Sequence, residues 1–154
     1  MSQSEPLRLG IVGLGNIAQQ HIDNIRSGQV QNCRIAAICS RALDSLSEEL
    51  GVPHFTELEK LLLSDSCDAL LIATPTFDHY RSGDAALRAG LHVMMEKPIG
   101  LSIKEGEDLL SLQGEDQVFA LMLNQRTDPL FLSMRECIQS GQLGEITRTH
   151  WTMT

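Results

Sequence analysis

The sequence predicts an α/β fold, a doubly wound parallel sheet followed by the first helix and strand of a second α/β domain. Three observations predict it. Short apolar runs alternate with segments of helical period along the whole chain, which is the pattern of a parallel sheet covered by helices. A glycine-rich turn directly follows the first apolar run. The composition, 42% hydrophobic and 21% charged over 154 residues, is that of a chain able to bury a core.

The elements follow in order. Leu7 to Val12 reads as the first strand, and Asn16 to about Ser27 as a helix with Ile17, Ala18, His21, Ile22 and Ile25 on its inner face; Gly28 is placed to end it. Arg34 to Cys39 is a second strand, Leu43 to Leu50 a helix, Pro53 to Phe55 a short third strand, and Glu57 to Leu63 a helix. Cys67 to Ala73 is the fourth strand, with a helix from about His79 to Ala89 that closes at Gly90. His92 to Met95 is the fifth strand, Ile103 to Gln113 a helix, Gly114 to Gln117 a polar turn, and Val118 to Leu123 the sixth strand. The doubly wound unit is then complete, and the first domain is expected to span residues 1–125.

Beyond it, Asp128 is a good N-cap and Pro129 suits the first helical position. Leu130, Phe131, Met134, Cys137 and Ile138 form one apolar stripe before Gly141. Gly144 to Met153 is rich in β-branched residues and reads as a strand. A lone strand leaves its backbone groups unpaired, so this one is expected to be disordered or to pair with another copy of the chain. Residues 126–154 are therefore read as the incomplete opening of a substrate or oligomerisation domain.

Charge and composition exclude several classes of function. With 12 Lys and Arg against 20 Asp and Glu the formal net charge is −8, which argues against nonspecific binding to nucleic acid or to an anionic membrane. The longest apolar stretch is about that of one buried strand, whereas a membrane span needs roughly 20 residues. The N-terminus lacks the basic and apolar regions of a signal peptide, so a cytoplasmic location is expected. The cysteines at 33, 39, 67 and 137 have neither C-x-x-C nor zinc-finger spacing and read as buried or half-buried thiols; no metal site is expected.

The chemistry is carried by strand ends. Gly13-Leu14-Gly15-Asn16-Ile17-Ala18 matches G-x-G-x-x-[GA] at the opening of a helix. The first glycine permits the tight turn, the second lets a pyrophosphate approach the backbone, and Ala18 lets helix and strand pack closely, as in a Rossmann dinucleotide site. The free N–H groups of Asn16, Ile17 and their neighbours, at the positive end of the helix, favour an anion there. At the end of the second strand, where NAD sites usually carry Asp or Glu for the ribose, stands Ser40-Arg41, a hydroxyl and a guanidinium suited to a 2′-phosphate. The expected cofactor is NADP, with NAD possible; in the alternative, Arg41 is solvated and Asp44 serves the ribose. The fourth strand ends Thr74-Pro75-Thr76, and Pro75 must end the ladder at the carboxyl edge where ligands of open α/β sheets bind. The fifth ends Glu96-Lys97-Pro98. Alternation sends Glu96 and Lys97 to opposite faces, so the glutamate does not simply neutralise the lysine. Lys97 is the catalytic candidate, an ammonium able to hydrogen-bond or exchange a proton with a substrate hydroxyl. His21 reads as a packed histidine, and His54, His92 and His150 are assigned no chemistry.

Gly10 to Ala18, Ala73-Thr74-Pro75 with His79, and above all Glu96-Lys97-Pro98 resemble the Gfo/Idh/MocA oxidoreductases, the family of glucose–fructose oxidoreductase and inositol dehydrogenase. The resemblance covers essentially the whole chain, since Asn124 to Pro129 and Ser140 to Ile146 look like that family's passage into its substrate domain. It implies NAD(P)-dependent oxidation or reduction of a sugar, cyclitol or related polyol. It also implies Lys97 near the reacting hydroxyl, Asn124 and Arg126 near the nicotinamide end, His79 and Glu96 in the cofactor's surroundings, and a homo-oligomer formed through the second domain. Thr76 stands where the family often has Asn, and the substrate-domain histidine and aspartate have no counterpart in these residues. For His79 a helix-entry role remains the alternative. For the whole chain the alternative is a dinucleotide-sensing or protein-interaction module without chemistry.

Overall fold

A computed structural model describes residues 5–41 and 45–152. The chain divides into two compact units, one running to Met122 and one from Leu123 onward.

The first unit contains β1 (Leu7–Val12), α1 (Asn16–Arg26), β2 (Cys33–Cys39), α2 (Leu46–Leu50), β3 (His54–Phe55) and α3 (Leu58–Leu62). It continues with β4 (Ala69–Ile72), α4 (Thr76–Arg88), β5 (His92–Glu96), α5 (Ile103–Leu112) and β6 (Phe119–Met122). Its six strands pair in parallel in the order β3-β2-β1-β4-β5-β6. The order reverses direction at β1, the switch point at which open α/β sheets bind ligands. Because successive side chains point to opposite faces, each central strand feeds two cores. Ile11, Ile38 and Leu71 pack with Ala18 and Ile22 of α1 and Leu46 of α2. Val12, Leu70, Ile72, Val93 and Met95 pack with Leu61 of α3, Ala86 and Leu87 of α4, and Leu109 of α5. Three helices thus crowd one face. On the other, a cavity of about 680 Å³ opens beyond α1, bordered by Ile25, Leu71, Met94 and Ala120. It lies over the sheet face rather than at the strand ends that carry the glycine turn.

At the amino edge of the sheet, Arg8 Nη2 donates to Asp68 Oδ1 at 2.6 Å, and Arg8 Nε donates to the same oxygen at 3.0 Å. These bonds hold the Asp68 carboxyl below its usual range.

The boundaries differ from the sequence expectation where a single residue sets them. α4 begins at Thr76 rather than near His79 because Pro75 is its N-cap, with φ −58°, and the Pro75 carbonyl accepts the Asp78 N–H at 2.9 Å. β4 and β6 are shorter than expected. At the entry to β6 the Val118 N–H donates to His92 Nδ1 at 3.0 Å, so a side chain takes the place of a ladder bond. The expected second helix was to start at Leu43, but residues 42–44 lie outside the described ones; α2 ends on Gly51 at φ +65°.

The second unit holds a 3₁₀ turn (Asn124–Arg126) and α6 (Pro129–Gln139). As expected, Pro129 is in the first turn and the Asp128 carboxylate caps it, accepting the Leu130 N–H at 2.8 Å. The 3₁₀ turn was not expected; its sequence carries no period. The expected strand from Gly144 to Met153 is corrected, since the described residues 145–152 form none. Among the described residues no strand of this unit is present to pair with them, and extended backbone without a partner gains no ladder bonds. Trp151 instead stacks on Phe131, with ring centroids 5.4 Å apart.

Cys39 and Cys67 are buried, and Cys33 and Cys137 partly so. Burial, with a smaller contribution from Glu59, pushes the Cys39 thiol up to about 11. Burial also raises Cys67 and Cys33. Because the thiolate is the reactive form, Cys39 and Cys67 should resist a thiol reagent such as DTNB at pH 8 in the native protein, and all four cysteines should react once it is denatured. Prompt native labelling of Cys39 would contradict its placement in the core.

Candidate functional site

The carboxyl ends of β1, β2, β4 and β5 are neighbours in the sheet. They bring Gly13, Gly15, Asn16, Ile17, Ser40, Arg41, Thr74, Pro75, Thr76, His79, Glu96 and Lys97 to one edge of the first unit. Asn124 and Arg126 stand in the 3₁₀ turn of the second unit, both exposed.

Gly13 is held by its neighbours. Its N–H donates to the Cys39 carbonyl at 2.9 Å, its φ is +90°, and an added Cβ would sit 2.7 Å from the Ala73 carbonyl oxygen. A tight turn and close packing against the end of β4 therefore both require glycine. Gly15 is the opposite case. It is the N-cap of α1, makes no side-chain cap, and has nothing within 4 Å of where a Cβ would stand. Asn16 and Ile17 are exposed above it, and no acidic residue occupies the first turn of α1. Open space over a helix N-terminus of eleven residues, with its leading N–H groups directed outward, suits a pyrophosphate. Ala18 is fully buried against the sheet, as the motif requires.

Ser40 is anchored at the next strand end. Its N–H donates to the Phe55 carbonyl at 2.9 Å, and His54 Nε2 lies 3.0 Å from its carbonyl oxygen, which gives His54 a structural place. Arg41 follows, exposed. On the other side of β1, Thr74 Oγ1 is buried with no hydrogen-bond partner. A buried hydroxyl left unpaired costs free energy, so the edge of the site holds one polar group that a ligand could satisfy.

Glu96 and Lys97 diverge as strand alternation predicts. Glu96 is 6% exposed, and its Oε1 lies 2.9 Å from His21 Nε2 on α1. Its Oε2 accepts the Lys97 N–H at 3.3 Å. Lys97 is exposed, and among the described residues no carboxylate forms an ion pair with it. The Lys97–Pro98 peptide is cis. His21, expected as a packed histidine, is largely enclosed on α1 and is also the partner of Glu96, a pairing across 75 residues that no local pattern discloses. His79 is buried in the first turn of α4, with Nδ1 2.7 Å from the Pro98 carbonyl oxygen and Nε2 2.8 Å from that of Thr74. Its ring is turned inward and both nitrogens face backbone.

A glycine turn opening on a helix at the switch point of a parallel sheet defines a dinucleotide-binding Rossmann domain. Residues 7–124 match the oxidoreductase family described as having an NAD-binding Rossmann fold, and the chain belongs to that family, Gfo/Idh/MocA. It is similar to the inositol 2-dehydrogenase of Corynebacterium glutamicum, 30% identical over 149 residues, which are 93% of this chain and 44% of that protein. The myo-inositol 2-dehydrogenase of Thermotoga maritima is 26% identical over 90% of this chain and 42% of its own length. Among solved structures, the scyllo-inositol dehydrogenase of Lactobacillus casei with bound NAD(H) and scyllo-inositol superposes with a TM-score of 0.84. It is 32% identical, over 92% of this chain and 43% of that one. The chain thus spans less than half the length of these relatives. Among the described residues no helix is long and apolar enough to cross a membrane, and no cluster of His, Cys, Asp and Glu could hold a metal.

Proposed function

We propose that this chain is the cofactor-binding part of an NADP(H)-preferring oxidoreductase that acts on a sugar, cyclitol or related polyol. Gly13, Gly15 and the first N–H groups of α1, those of Asn16 and Ile17 included, would hold the pyrophosphate. Ser40 and Arg41 would hold the ribose 2′-phosphate. Thr74, Pro75 and Thr76 would border the nicotinamide side, and the family resemblance assigns Asn124 and Arg126 to the nicotinamide end as well. The nicotinamide, when bound, supplies the hydride acceptor or donor.

Lys97 carries the chemistry of the chain itself. The supporting observation is that its ammonium is exposed at the carboxyl edge and unpaired by any described carboxylate, while the adjacent Glu96 is buried and engaged by His21. At that place Nζ can donate a hydrogen bond to a substrate hydroxyl oxygen, orienting it, and the amine form can take the hydroxyl proton as the C–H bond is broken. The two stereoisomers on the relatives' side, myo- and scyllo-inositol, are rings of vicinal hydroxyls that such a group would recognise.

The cofactor preference rests on Arg41. Titrating the chain with NADPH and with NADH should show tighter binding of NADPH by about tenfold or more, the size of one or two charge-assisted hydrogen bonds. Arg41→Asp should reverse the order, because a carboxylate repels the 2′-phosphate and accepts from the ribose 2′-hydroxyl. Equal affinity in the unaltered chain would remove the preference for NADP.

A further inference from the structure

We propose that His79 is a positioning residue that fixes the backbone of Lys97 through the carbonyl of Pro98, an inference that rests on the role given to Lys97 above. His79 is 1% exposed, between the carbonyl oxygens of Pro98 at 2.7 Å and Thr74 at 2.8 Å. Carbonyls only accept, so the ring supplies the proton at each bond it makes, through one nitrogen when neutral and through both when charged. Leucine or methionine would fill the same volume without the cost of burying a polar ring. What the imidazole adds is an N–H directed at the backbone of one segment when neutral, and a bridge between both when charged.

Those segments have left the sheet. The β4–β5 pairing ends at Ile72 and Met95, and β5 itself ends at Glu96, so no ladder bond reaches Pro98. The ring takes over where the ladder stops. On the other side of Lys97, Glu96 is held by His21 Nε2 at 2.9 Å and accepts the Lys97 N–H. The residues flanking Lys97 are therefore each tied to a helix, Glu96 to α1 and Pro98 to α4, and these helices pack on opposite faces of the sheet. A lysine stem is flexible, so its reach is defined only if its Cα is held. Displacement of a reacting group by about 1 Å can cost on the order of 10²-fold in rate.

The two contacts can be separated chemically. In His79→Asn the side-chain amide nitrogen takes the place of Nδ1 and can still donate to Pro98, whereas in His79→Gln it takes the place of Nε2 and donates to Thr74. The test compares the Lys97 and Ile99 amide resonances of the ¹⁵N-labelled chain in both variants, together with melting temperature. His79→Asn should leave both resonances near their native positions, and His79→Gln should shift or broaden them, with similar melting temperatures. With myo-inositol as the probe substrate of the whole protein, kcat should fall about tenfold or more in His79→Gln and less than about threefold in His79→Asn, at unchanged cofactor affinity. Identical behaviour of the two variants, native resonances in both, or unfolding of both would overturn the proposal. A chain that shows the expected resonances yet binds neither NADPH nor NADH would keep the anchoring of Lys97 and remove the function proposed above.

Discussion

Lys97→Met should lower the rate of polyol oxidation by roughly 10²- to 10⁴-fold, the range that a positioned proton-transfer group contributes, while cofactor affinity stays within about threefold. Methionine keeps the length of the stem and removes only the ammonium. The side chain is exposed, so no packing is lost and the melting temperature should hold. The measurement is steady-state turnover of myo- or scyllo-inositol by the protein that carries this chain with its substrate domain, alongside a cofactor titration. Loss of rate and cofactor binding together would make Lys97 structural. A drop of less than about tenfold would assign the proton to another group. The same pair of measurements separates an enzyme from a nucleotide-sensing module, which would bind cofactor and show no turnover for Lys97 to affect.

The parts of this site legible in the sequence are those encoded by neighbours in the chain. The glycine turn shows itself because a strand of period two, two glycines and a helix of period 3.6 stand in immediate succession between Leu7 and Arg26. Pro75 and Pro98 mark strand ends because proline cannot continue a ladder. The divergence of Glu96 and Lys97 follows from the pleat alone. What stayed hidden depends on residues far apart. His21 meets Glu96 across 75 positions and His79 meets Pro98 across 19, and an isolated histidine on a helix has the same local pattern whether it faces a side chain, a carbonyl or nothing. The tail from Gly144 departs from the expected strand for a related reason. β-branched residues favour a strand only where another strand offers its backbone, and propensity without a partner does not decide the structure.

The two glycines of the turn should separate stability from binding. Gly13→Ala places a Cβ 2.7 Å from the Ala73 carbonyl oxygen and 3.0 Å from the Thr74 nitrogen, at φ +90°. Both atoms are backbone at the end of a central strand, bound in turn by the Ala73 N–H to the Val12 carbonyl at 2.8 Å, so neither can swing aside as a side-chain terminus could. The backbone strain costs about 1–2 kcal/mol and the overpacking about 1–3 kcal/mol more. For a domain of this size that corresponds to a melting temperature lower by roughly 5–15 °C. Gly15→Ala meets nothing within 4 Å, at a φ of −73° that alanine adopts freely. Its melting temperature should change by no more than a degree or two. Yet the new methyl group would occupy the space over the α1 N-terminus through which a pyrophosphate must approach, and binding of NADPH and NADH should weaken by about tenfold or more. Calorimetry of the two variants beside a cofactor titration reads both effects. If Gly15→Ala bound either cofactor as tightly as the parent chain, the diphosphate would not lie over this turn, and the assignment of Ser40 and Arg41 to the ribose would fall with it.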